Sequence, residues 1–338
     1  FWLMTAREKS NSGELGRDIG FFIHDTNNGG IDVEEYYNNL GLYMIPYGRN
    51  RINISVPSSY RLQPKTTGIS MMLDLLHRSR LQFPGMATGF LHRLLDEAIN
   101  HCKTRFVGGV SLFNYDQVKE RLANLQSYFT SSSAMSSYIA ENISSGEDIS
   151  RFDILANSVK SVVTDYMQEA AQSFLQLVGA KGYRLDHLAG RSLVDSRPFQ
   201  IFEGSNDILY QQVTESVFKL MRKSKINNLY DFFKSYAHTD KAVDYFKDLF
   251  NFEVDHKMAQ RNLVQLGRTI GRLITMNLTI DLGSKGFNTE MIANSLKVLQ
   301  SEIQTSITSY RLNLAPNIVD DYQIDSSWLS KTKFAADF

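Results

Sequence analysis

Glu203 is the residue of this 338-residue chain that raises the clearest chemical question. It lies in the segment FQIFEGSNDIL, residues 199–209, after the bulky apolar residues Ile201 and Phe202 and directly before a Gly-Ser-Asn-Asp run. Two roles are open for a carboxylate in this position. It is either an ordinary acidic residue at a helix start, where the helix dipole favours Asp and Glu, or a general base placed to accept a proton.

The residues on either side of Glu203 have restricted conformational uses. Gly179 and Gly182 interrupt an apolar helical pattern and permit a sharp turn or a close approach to a ligand. Pro198 ends the short charged segment that follows them. Three candidate helix caps come after the glutamate: Ser205, Asn206 and Asp207. The free backbone N–H groups of such a helix start can bind negative charge or hydrogen-bond acceptors.

Several familiar nucleotide, hydrolase and metal motifs are absent from the sequence. It contains no G-x-G-x-x-G after a strand, no G-x-x-x-x-G-K-[ST], no G-x-S-x-G and no H-E-x-x-H. Nucleotide binding by a Rossmann or P-loop route is therefore not expected. The seven histidines never occur at metal-ligand spacing with a carboxylate partner on one helix face, so the sequence predicts no metal site.

The composition is typical of a globular protein with a large core, since 43% of the residues are hydrophobic and 12% are aromatic. Lys plus Arg and Asp plus Glu both number 36, so no global basic field favours nucleic acid, and nucleic-acid binding is not expected. The single cysteine, Cys102, favours a reducing, cytoplasmic setting. No apolar run approaches the roughly 20 residues that span a bilayer.

Hydrophobic periodicity divides the chain into three zones and predicts a mainly α protein with a small β region. Residues 1–62 are rich in β-branched and aromatic residues, with strands predicted in FWLMTAR, IGFFIHD and RINISVP. Residues 63–225 change to a period of about 3.6, which favours an antiparallel helical bundle, with Pro84 as a kink in its first helix. Residues 226–338 are a further helical domain. Its helical patterns cover 228–250, 256–280 and 288–311.

The chain opens on FWLMTARE, which has the pattern of the middle of a strand and no initiator methionine. We therefore expect a part of the protein N-terminal to Phe1 to be missing from this sequence. Three or four strands alone bury too little apolar surface to be stable, so the β zone must pack on something else.

The stretch around Glu203 resembles the C-terminal signature of the acyl-CoA dehydrogenases. That signature reads Q-x-x-G-G-x-G-[FY], then an Arg-Asp pair, then I-[YF]-E-G-[TS]-x-[ED]-I. The chain reads Gln176-x-x-Gly179-Ala180-x-Gly182-Tyr183, then Asp195, then Ile201-Phe202-Glu203-Gly204-Ser205-x-Asp207-Ile208. Upstream, LGLYMIPYGRNRINISVP and RSRLQFPGMATGFLHRLLDEAINHCKTRF are similar to the end of the family's β-domain and to the helix before its flavin loop. The resemblance covers residues 1 to about 225.

The resemblance implies a partial β-domain, then an antiparallel four-helix bundle, then an extra C-terminal helical domain of the kind that larger relatives carry. The family's N-terminal helical domain and the front of its β-domain have no counterpart in this sequence. Ala180 stands at the family's second glycine and Val194 at the arginine before Asp195, so the resemblance is to a divergent member.

The activity implied by the resemblance is FAD-dependent α,β-dehydrogenation of an acyl-CoA thioester to the trans-2-enoyl-CoA. Glu203 would take the α-proton while the β-hydride passes to flavin N5. Because an α-proton next to a thioester is only weakly acidic, such a base needs removal from water, which Ile201 and Phe202 would provide. Some relatives carry the base on the helix near Arg80, where this chain has Ser79, which cannot serve.

The resemblance implies further contacts with cofactor and substrate. The implied FAD-binding residues are Arg105 at the pyrophosphate, Ser205 at the flavin, Gln176 and Gly179 from a neighbouring subunit, and Phe1 and Trp2 on a strand over the flavin. The implied substrate-binding residues are Arg80, Phe202 and Gly204. For Arg105 an exposed helix-end arginine is an equally open interpretation.

The implied partners are an acyl-CoA substrate, electron-transfer flavoprotein or oxygen as electron acceptor, and further copies of the chain in a homo-oligomer. Two alternatives to a dehydrogenase remain open. One is a non-catalytic dehydrogenase-like subunit or scaffold, and the other is an acyl-CoA oxidase, which differs in what reoxidises the flavin. Acyl chain length depends on pocket depth and is not predicted.

Overall fold

The computed structural model describes residues 1–312 and 316–332. Within these residues the chain is mainly helical, with three small antiparallel sheets, so the expected fold class is confirmed. The strands of the N-terminal zone are β1 (Trp2–Ala6), β2 (Gly20–His24), β3 (Ile31–Tyr36), β4 (Gly48–Ile52) and β5 (Arg61–Leu62). β2 lies between β1 and β5 in one sheet, and β3 pairs with β4 in another.

The strand predictions are correct for the first two segments and incomplete for the third. Only Arg51 and Ile52 of RINISVP belong to a strand, the end of β4. Its partner β3 was not predicted, because its charged residues obscure the apolar alternation. Those charges pair across the hairpin, where Glu34 contacts Arg49 at 3.1 Å and Arg51 at 2.6 Å. Cross-strand charge pairs of this kind support a hairpin that has little apolar surface.

Five helices follow in the zone of the predicted bundle, with a short hairpin after the first of them. The helices are α1 (Gly68–Thr104), α2 (Asp116–Asn142), α3 (Asp153–Val178), α4 (Leu188–Ser196) and α5 (Asn206–Ser224), and the hairpin strands are β6 (Phe106–Val107) and β7 (Val110–Ser111). α3 is central, since it packs against α1, α2, α4 and α5. The predicted stripe Leu155, Val159, Val162 and Tyr166 is buried on α3, as expected for core residues.

α1 is a single helix of 37 residues that continues through Pro84. Proline removes one backbone donor from a helix interior, yet the helix runs on for another 20 residues because its far half is buried against α2 and α3. The β zone attaches to the start of α1. Asp18 accepts hydrogen bonds from the backbone N–H groups of Gly68 and Ile69, both at 3.0 Å, and thereby satisfies two donors at the helix N-terminus.

The C-terminal zone contains four helices within the described residues. They are α6 (Leu229–Ser235), α7 (Lys247–Phe250), α8 (Gln260–Ser284) and α9 (Thr289–Leu312). The predictions for 256–280 and 288–311 correspond to α8 and α9. The helical prediction for 228–250 is correct only in part, because residues 236–242, between α6 and a 3-10 turn at Val243–Phe246, form turns. The side chain of Asn277, on α8, accepts hydrogen bonds from the backbone N–H groups of Lys241 and Ala242 at 2.9 and 3.2 Å. This buried tertiary partner holds a turn that local periodicity does not reveal.

The C-terminal helices pack directly on the bundle. α8 contacts α2, α3 and α5, and α9 contacts α2 and α8. A Cβ atom built on Gly267 would lie 1.9 Å from the carbonyl oxygen of Tyr210, so this glycine permits the close approach of α8 to α5. One hydrophobic core extends from α1 to α9. The division at residues 62 and 225 stays a prediction, and the helices on both sides of residue 225 share this core.

Candidate active site

The Glu203 loop, residues 201–205, connects a 3-10 turn at Arg197–Gln200 with the start of α5. Glu203 has φ 57° and Gly204 has φ 92°, so two successive residues adopt the left-handed region. This conformation costs a residue with a side chain about 1 kcal/mol or more, and a Cβ atom on Gly204 would lie 2.9 Å from Leu209 Cδ2. The turn is therefore tight, and glycine is needed at its second position.

The Glu203 carboxylate points back toward α1, and its two oxygens have different surroundings. Ser79 Oγ, on α1, donates a hydrogen bond of 2.6 Å to Oε1. Oε2 is buried and has no hydrogen-bond partner among the described residues. A buried acceptor without a partner is unfavourable, and an unsatisfied group of this kind requires an explanation such as a catalytic role. One oxygen is thus fixed while the other is able to accept a proton.

Two buried cations hold the backbone of the Glu203 loop on the side that faces the interior of the bundle. Arg80 donates to the carbonyl oxygen of Glu203 from Nε at 3.2 Å and from Nη2 at 2.7 Å, and its Nη1 donates to Asn157 Oδ1 at 2.8 Å. Lys160 Nζ donates to the carbonyl oxygen of Gly204 at 3.0 Å. The carbonyls of two consecutive residues are therefore turned into the bundle, and their positive partners fix the turn.

The charge state of Lys160 reflects its burial beneath this loop. Its side chain is fully buried on α3, and its Nζ also donates to Asn206 Oδ1 at 3.0 Å. Burial, followed by the nearby positive charge of Arg80, lowers the pKa of Lys160 to about 8, while Glu203 and Asp165 act in the opposite direction. Burial likewise lowers the pKa of Arg80, while Glu203 acts in the opposite direction.

Apolar residues cover part of the loop. The Phe202 ring packs against Phe199 at 5.2 Å and against Phe83, on α1, at 6.2 Å between ring centroids. Ile201 is more than half exposed and instead lines a cavity of about 350 Å³ together with Leu40 and other residues of the β3–β4 connection. Of the two residues expected to exclude water, Phe202 is packed beside the glutamate and Ile201 faces a surface cavity.

The structure brings one set of the predicted site residues together around Glu203. Arg80, Phe202, Gly204 and Ser205 all lie on or against the loop, and Ser205 is the N-cap residue of α5, although its side chain makes no capping hydrogen bond. Arg80 is buried and bonds to the protein itself, so its position explains how the loop is held. Its predicted contact with CoA stays a prediction.

A second set of predicted residues lies far from Glu203 in the same chain. Arg105 is the exposed C-cap of α1, 25 residues from Arg80, which corresponds to about 37 Å of helix. Gln176 is exposed near the end of α3, 16 residues beyond Lys160, or about 24 Å. Gly179 caps that helix with φ 72°, and no atom lies within 4 Å of where its Cβ would be.

Phe1 and Trp2 belong to neither set. Trp2 begins the edge strand β1, and both side chains are exposed, Phe1 by 87%. Their predicted contact with a flavin stays a prediction. No group of three or more His, Cys, Asp or Glu side chains that could hold a metal ion occurs in residues 1–312 and 316–332. None of the helices in that part of the chain is long and apolar enough to cross a membrane.

Sequence reasoning missed two residues. Asn157 bonds to the Arg80 side chain, and Lys160 bonds to the Glu203 loop. Both lie on α3 and are buried, as is Thr164 one turn further on. The three residues occur at helical spacing, so they share one face of α3. They lie in its first half, residues 154–167, which is buried on every face. A lysine within a segment of predicted core residues was the available signal, because lysine is rarely buried without a partner.

Comparison with known proteins identifies the class of this bundle. Residues 66–218 match the family model for the C-terminal domain of acyl-CoA dehydrogenases. The mouse very long-chain specific acyl-CoA dehydrogenase is 26% identical over 156 residues, which cover 46% of this chain and 24% of that enzyme. An acyl-CoA dehydrogenase of Bacillus subtilis is 25% identical over 210 residues, covering 61% and 52% of the two chains. The match therefore spans about a quarter of the length of the mouse enzyme and about half of the length of the Bacillus subtilis enzyme.

The fold extends the match beyond the shared sequence segment. The crystal structure of a Bacillus anthracis acyl-CoA dehydrogenase complexed with FAD superimposes with a TM-score of 0.69 at 15% identity, covering 97% of this chain and 64% of that one. The bundle, with its glutamate loop before α5, therefore has the fold of that dehydrogenase. The sequence signature is confirmed to this extent: residues 66–218 match the C-terminal domain of the acyl-CoA dehydrogenase family, and the fold of the chain is similar to that of a solved acyl-CoA dehydrogenase.

Proposed function

We propose that the protein to which these 338 residues belong is an FAD-dependent acyl-CoA dehydrogenase in which Glu203 removes the α-proton of the thioester. The observation that carries the proposal is the asymmetric carboxylate. Ser79 fixes Oε1, and Oε2 is buried with no partner in the described residues. A base for a weakly acidic C–H needs such a free, water-shielded oxygen in a fixed direction.

The residues of this chain would perform the following steps. Glu203 Oε2 accepts the α-proton, while Ser79 keeps the other oxygen in place. Arg80 and Lys160 hold the carbonyls of the turn inward and thereby fix the backbone that carries the carboxylate. The backbone N–H of Glu203 would donate to the thioester carbonyl as negative charge develops there. When bound, FAD supplies the acceptor for the β-hydride.

The described residues fit an FAD site that is shared between two copies of the chain. Ser205 has a hydroxyl that is not used in capping and lies beside the loop. Arg105, Gln176 and Gly179 are exposed and lie about 24 Å or more along the helices from the residues near the loop. Within one chain the two sets are separate, which supports the proposal of a homo-oligomer in which a second copy provides the distant set.

The proposal is tested by enzyme assay after reconstitution of the protein with FAD. We expect enoyl-CoA formation from at least one acyl-CoA and a loss of about 10³-fold or more in Glu203→Gln, which retains shape but cannot accept the proton. Glu215→Gln is the matched control, since Glu215 is exposed on the outer face of α5, and it should keep wild-type activity. Absence of bound FAD, with no effect of Glu203→Gln, would instead support the non-catalytic subunit.

The electron acceptor is a separate part of the proposal. Electron-transfer flavoprotein is the proposed acceptor, and an oxidase is the alternative. Both share the proton removal by Glu203, so the base assignment does not depend on the choice. Reoxidation of the reduced protein by added electron-transfer flavoprotein but only slowly by air would support the dehydrogenase, and rapid reoxidation by air with peroxide formation would support the oxidase.

A further inference from the structure

Asp165, on α3, bonds to both ends of the Glu203 loop. Its Oδ1 accepts a hydrogen bond of 2.7 Å from Gln200 Nε2, three residues before Glu203, and another of 2.7 Å from Asn206 Nδ2, three residues after it. Its Oδ2 accepts a hydrogen bond of 2.7 Å from the Tyr210 hydroxyl. Asp165 is 5% exposed. One buried carboxylate therefore fixes the entry and the exit of the loop that carries the base.

The ion-pair partner of this carboxylate comes from the C-terminal zone. Arg272, on α8, places Nη2 3.9 Å from Asp165 Oδ2, and its Nη1 donates to the Tyr210 hydroxyl at 3.3 Å. Its Nε lies 3.3 Å from Glu302 Oε2, on α9. The side chain of Arg272 is only 10% exposed. Two acidic residues on different helices thus share one buried guanidinium.

A buried carboxylate requires a compensating charge, because removal from water disfavours its ionised form. Two other cations lie nearby: Lys160 directs its hydrogen bonds to Gly204 and Asn206, and Arg268 pairs with Asp207. Arg272 is therefore the cation that directly pairs with Asp165. Since Gln200 and Asn206 both donate to Asp165, loss of its charge would weaken both anchors of the loop at once.

We propose that Arg272 is a positioning residue for Glu203, and that α8 and α9 thereby serve the reaction in addition to covering the bundle. Arg272 pairs with Asp165 and orients it, and Asp165 keeps the loop in its left-handed turn. The catalytic consequence rests on the proposed function. The ordering of the loop does not, because it is a property of the folded chain alone.

Amide hydrogen exchange of the 338-residue chain tests the ordering directly. We expect the amides of residues 201–205 to exchange about tenfold or more faster in Arg272→Met than in the wild type. Arg268→Met is the matched control. Arg268 lies one turn earlier on α8, pairs with the exposed Asp207 at 2.7 Å and lies 5.1 Å from the centre of the Tyr210 ring. Because its ion pair is with Asp207 and not with Asp165, this variant should leave exchange at 201–205 within about twofold of wild type.

Two further variants separate loop ordering from general destabilisation, because removal of one buried ion can unfold a domain. Asp165→Asn preserves shape, and Arg272→Met combined with Glu302→Gln removes two opposite charges together. Both should fold and show the same local acceleration at 201–205. Unchanged exchange at 201–205 in these variants, acceleration spread equally over α1 and α2, or failure of both to fold would overturn the inference.

Kinetics of the FAD-loaded protein add a second readout. We expect kcat to fall about tenfold or more in Arg272→Met with KM for acyl-CoA changed less than about threefold, because the base is displaced while the substrate site is kept. Arg272→Lys should restore part of kcat. If the wild type itself has no activity, the proposed function fails while the exchange experiment still decides the positioning role. Equal losses in Arg268→Met and Arg272→Met would contradict that role.

Discussion

At the residue scale, the site depends on polar groups that the bundle encloses completely. Glu203 is held from one side by the hydroxyl of Ser79 and from below, through backbone carbonyls, by Arg80 and Lys160. The two cations are among the least exposed charged residues of the described chain. Burial of a lysine is unfavourable unless its ammonium group finds acceptors, and here the loop provides them.

The burial of Lys160 predicts a distinctive dependence of stability on pH. The pKa of its ammonium group is about 8 in the folded chain and about 10.4 in an unfolded one. Between these values the unfolded state binds a proton that the folded state has lost, so stability rises as pH increases through this window. From pH 7.5 to 9.5 this contribution amounts to about 2 kcal/mol.

Urea unfolding of the wild type and of Lys160→Met at these two pH values measures this effect. Other groups, including the buried tyrosines, titrate equally in both proteins, so the difference between the two pH responses isolates Lys160. Wild type should gain about 2 kcal/mol more than the variant over this interval. If the free energy of unfolding changed equally with pH in the two proteins, the pKa of Lys160 would not be lowered in the folded chain.

The sequence singled out Glu203 but not the groups that hold it. Its local neighbours left two roles open for Glu203, and the resemblance of residues 176–208 to the acyl-CoA dehydrogenase signature favoured the base. Lys160 and Asp165 contact that segment from 44 and 35 residues away along the chain. A single sequence gives their types but not the tertiary contact that brings them beneath the loop, and the role of Glu203 itself stays a prediction until it is measured.

At the element scale, the contact between α5 and α8 joins the C-terminal zone to the helix that follows the Glu203 loop. Gly267 and Gly271 lie one turn apart on α8, and both face Tyr210. A side chain at Gly267 would collide with backbone, which cannot move aside as the end of a flexible side chain can. The packing of α8 therefore depends on the absence of a side chain at this position.

Gly267→Ala should therefore lower the free energy of unfolding by about 1–3 kcal/mol, since α8 must shift away from α5. Gly89→Ala is the matched control, because Gly89 lies inside α1 with no atom within 4 Å of a Cβ atom there. Since alanine is the better helix former, the control should raise stability by up to about 1 kcal/mol. Thermal or urea unfolding of the three proteins distinguishes these effects, and stabilisation by Gly267→Ala would contradict the described packing.

Element prediction succeeded where periodicity reflects burial and failed where tertiary partners decide. α2, α3, α8 and α9 were visible as long apolar stripes. β3 has few apolar residues and depends on charge pairs with β4, and the chain between α6 and α7 follows the side chain of Asn277 instead of its own helical pattern. Neither cause is a local property of the segment concerned.

At the scale of the whole molecule, one buried and two half-buried histidines make stability depend on acid pH. Burial lowers the pKa of His77, His101 and His238 below the ordinary value of 6.5. Below that value the unfolded state binds protons that the folded state does not, so these residues contribute stability at neutral pH that is lost as pH falls through 6.5. His77 is the most buried of them, and its Nδ1 lies 2.8 Å from the carbonyl oxygen of Ile149.

His77→Gln should therefore reduce the loss of stability between pH 7.5 and pH 5.5. The amide of glutamine can still donate to the carbonyl of Ile149 but cannot take up a proton in this range. His92→Gln is the control, because His92 is an exposed residue of the same helix, and its pH response should match the wild type. An acid sensitivity unchanged in His77→Gln would show that other groups determine it.

The whole chain also combines two regions that differ in how well they match known relatives. Residues 66–218 carry the family match, while α6 to α9 lie outside it and still share the core of the bundle. Through Arg272 and Glu302 these helices reach the network beneath the Glu203 loop. The C-terminal zone therefore contributes to the site region and not only to the surface of the protein.

The central claim is that Glu203 removes the proton that allows hydride transfer to a bound flavin. Anaerobic mixing of the FAD-loaded protein with short-, medium- and long-chain acyl-CoAs, followed by flavin absorbance, measures it most directly. The account predicts bleaching of the flavin by at least one acyl-CoA in the wild type and no bleaching in a Glu203→Gln protein that still binds FAD. Absence of bleaching in the FAD-loaded wild type with every acyl-CoA, or equally fast bleaching in Glu203→Gln, would contradict it.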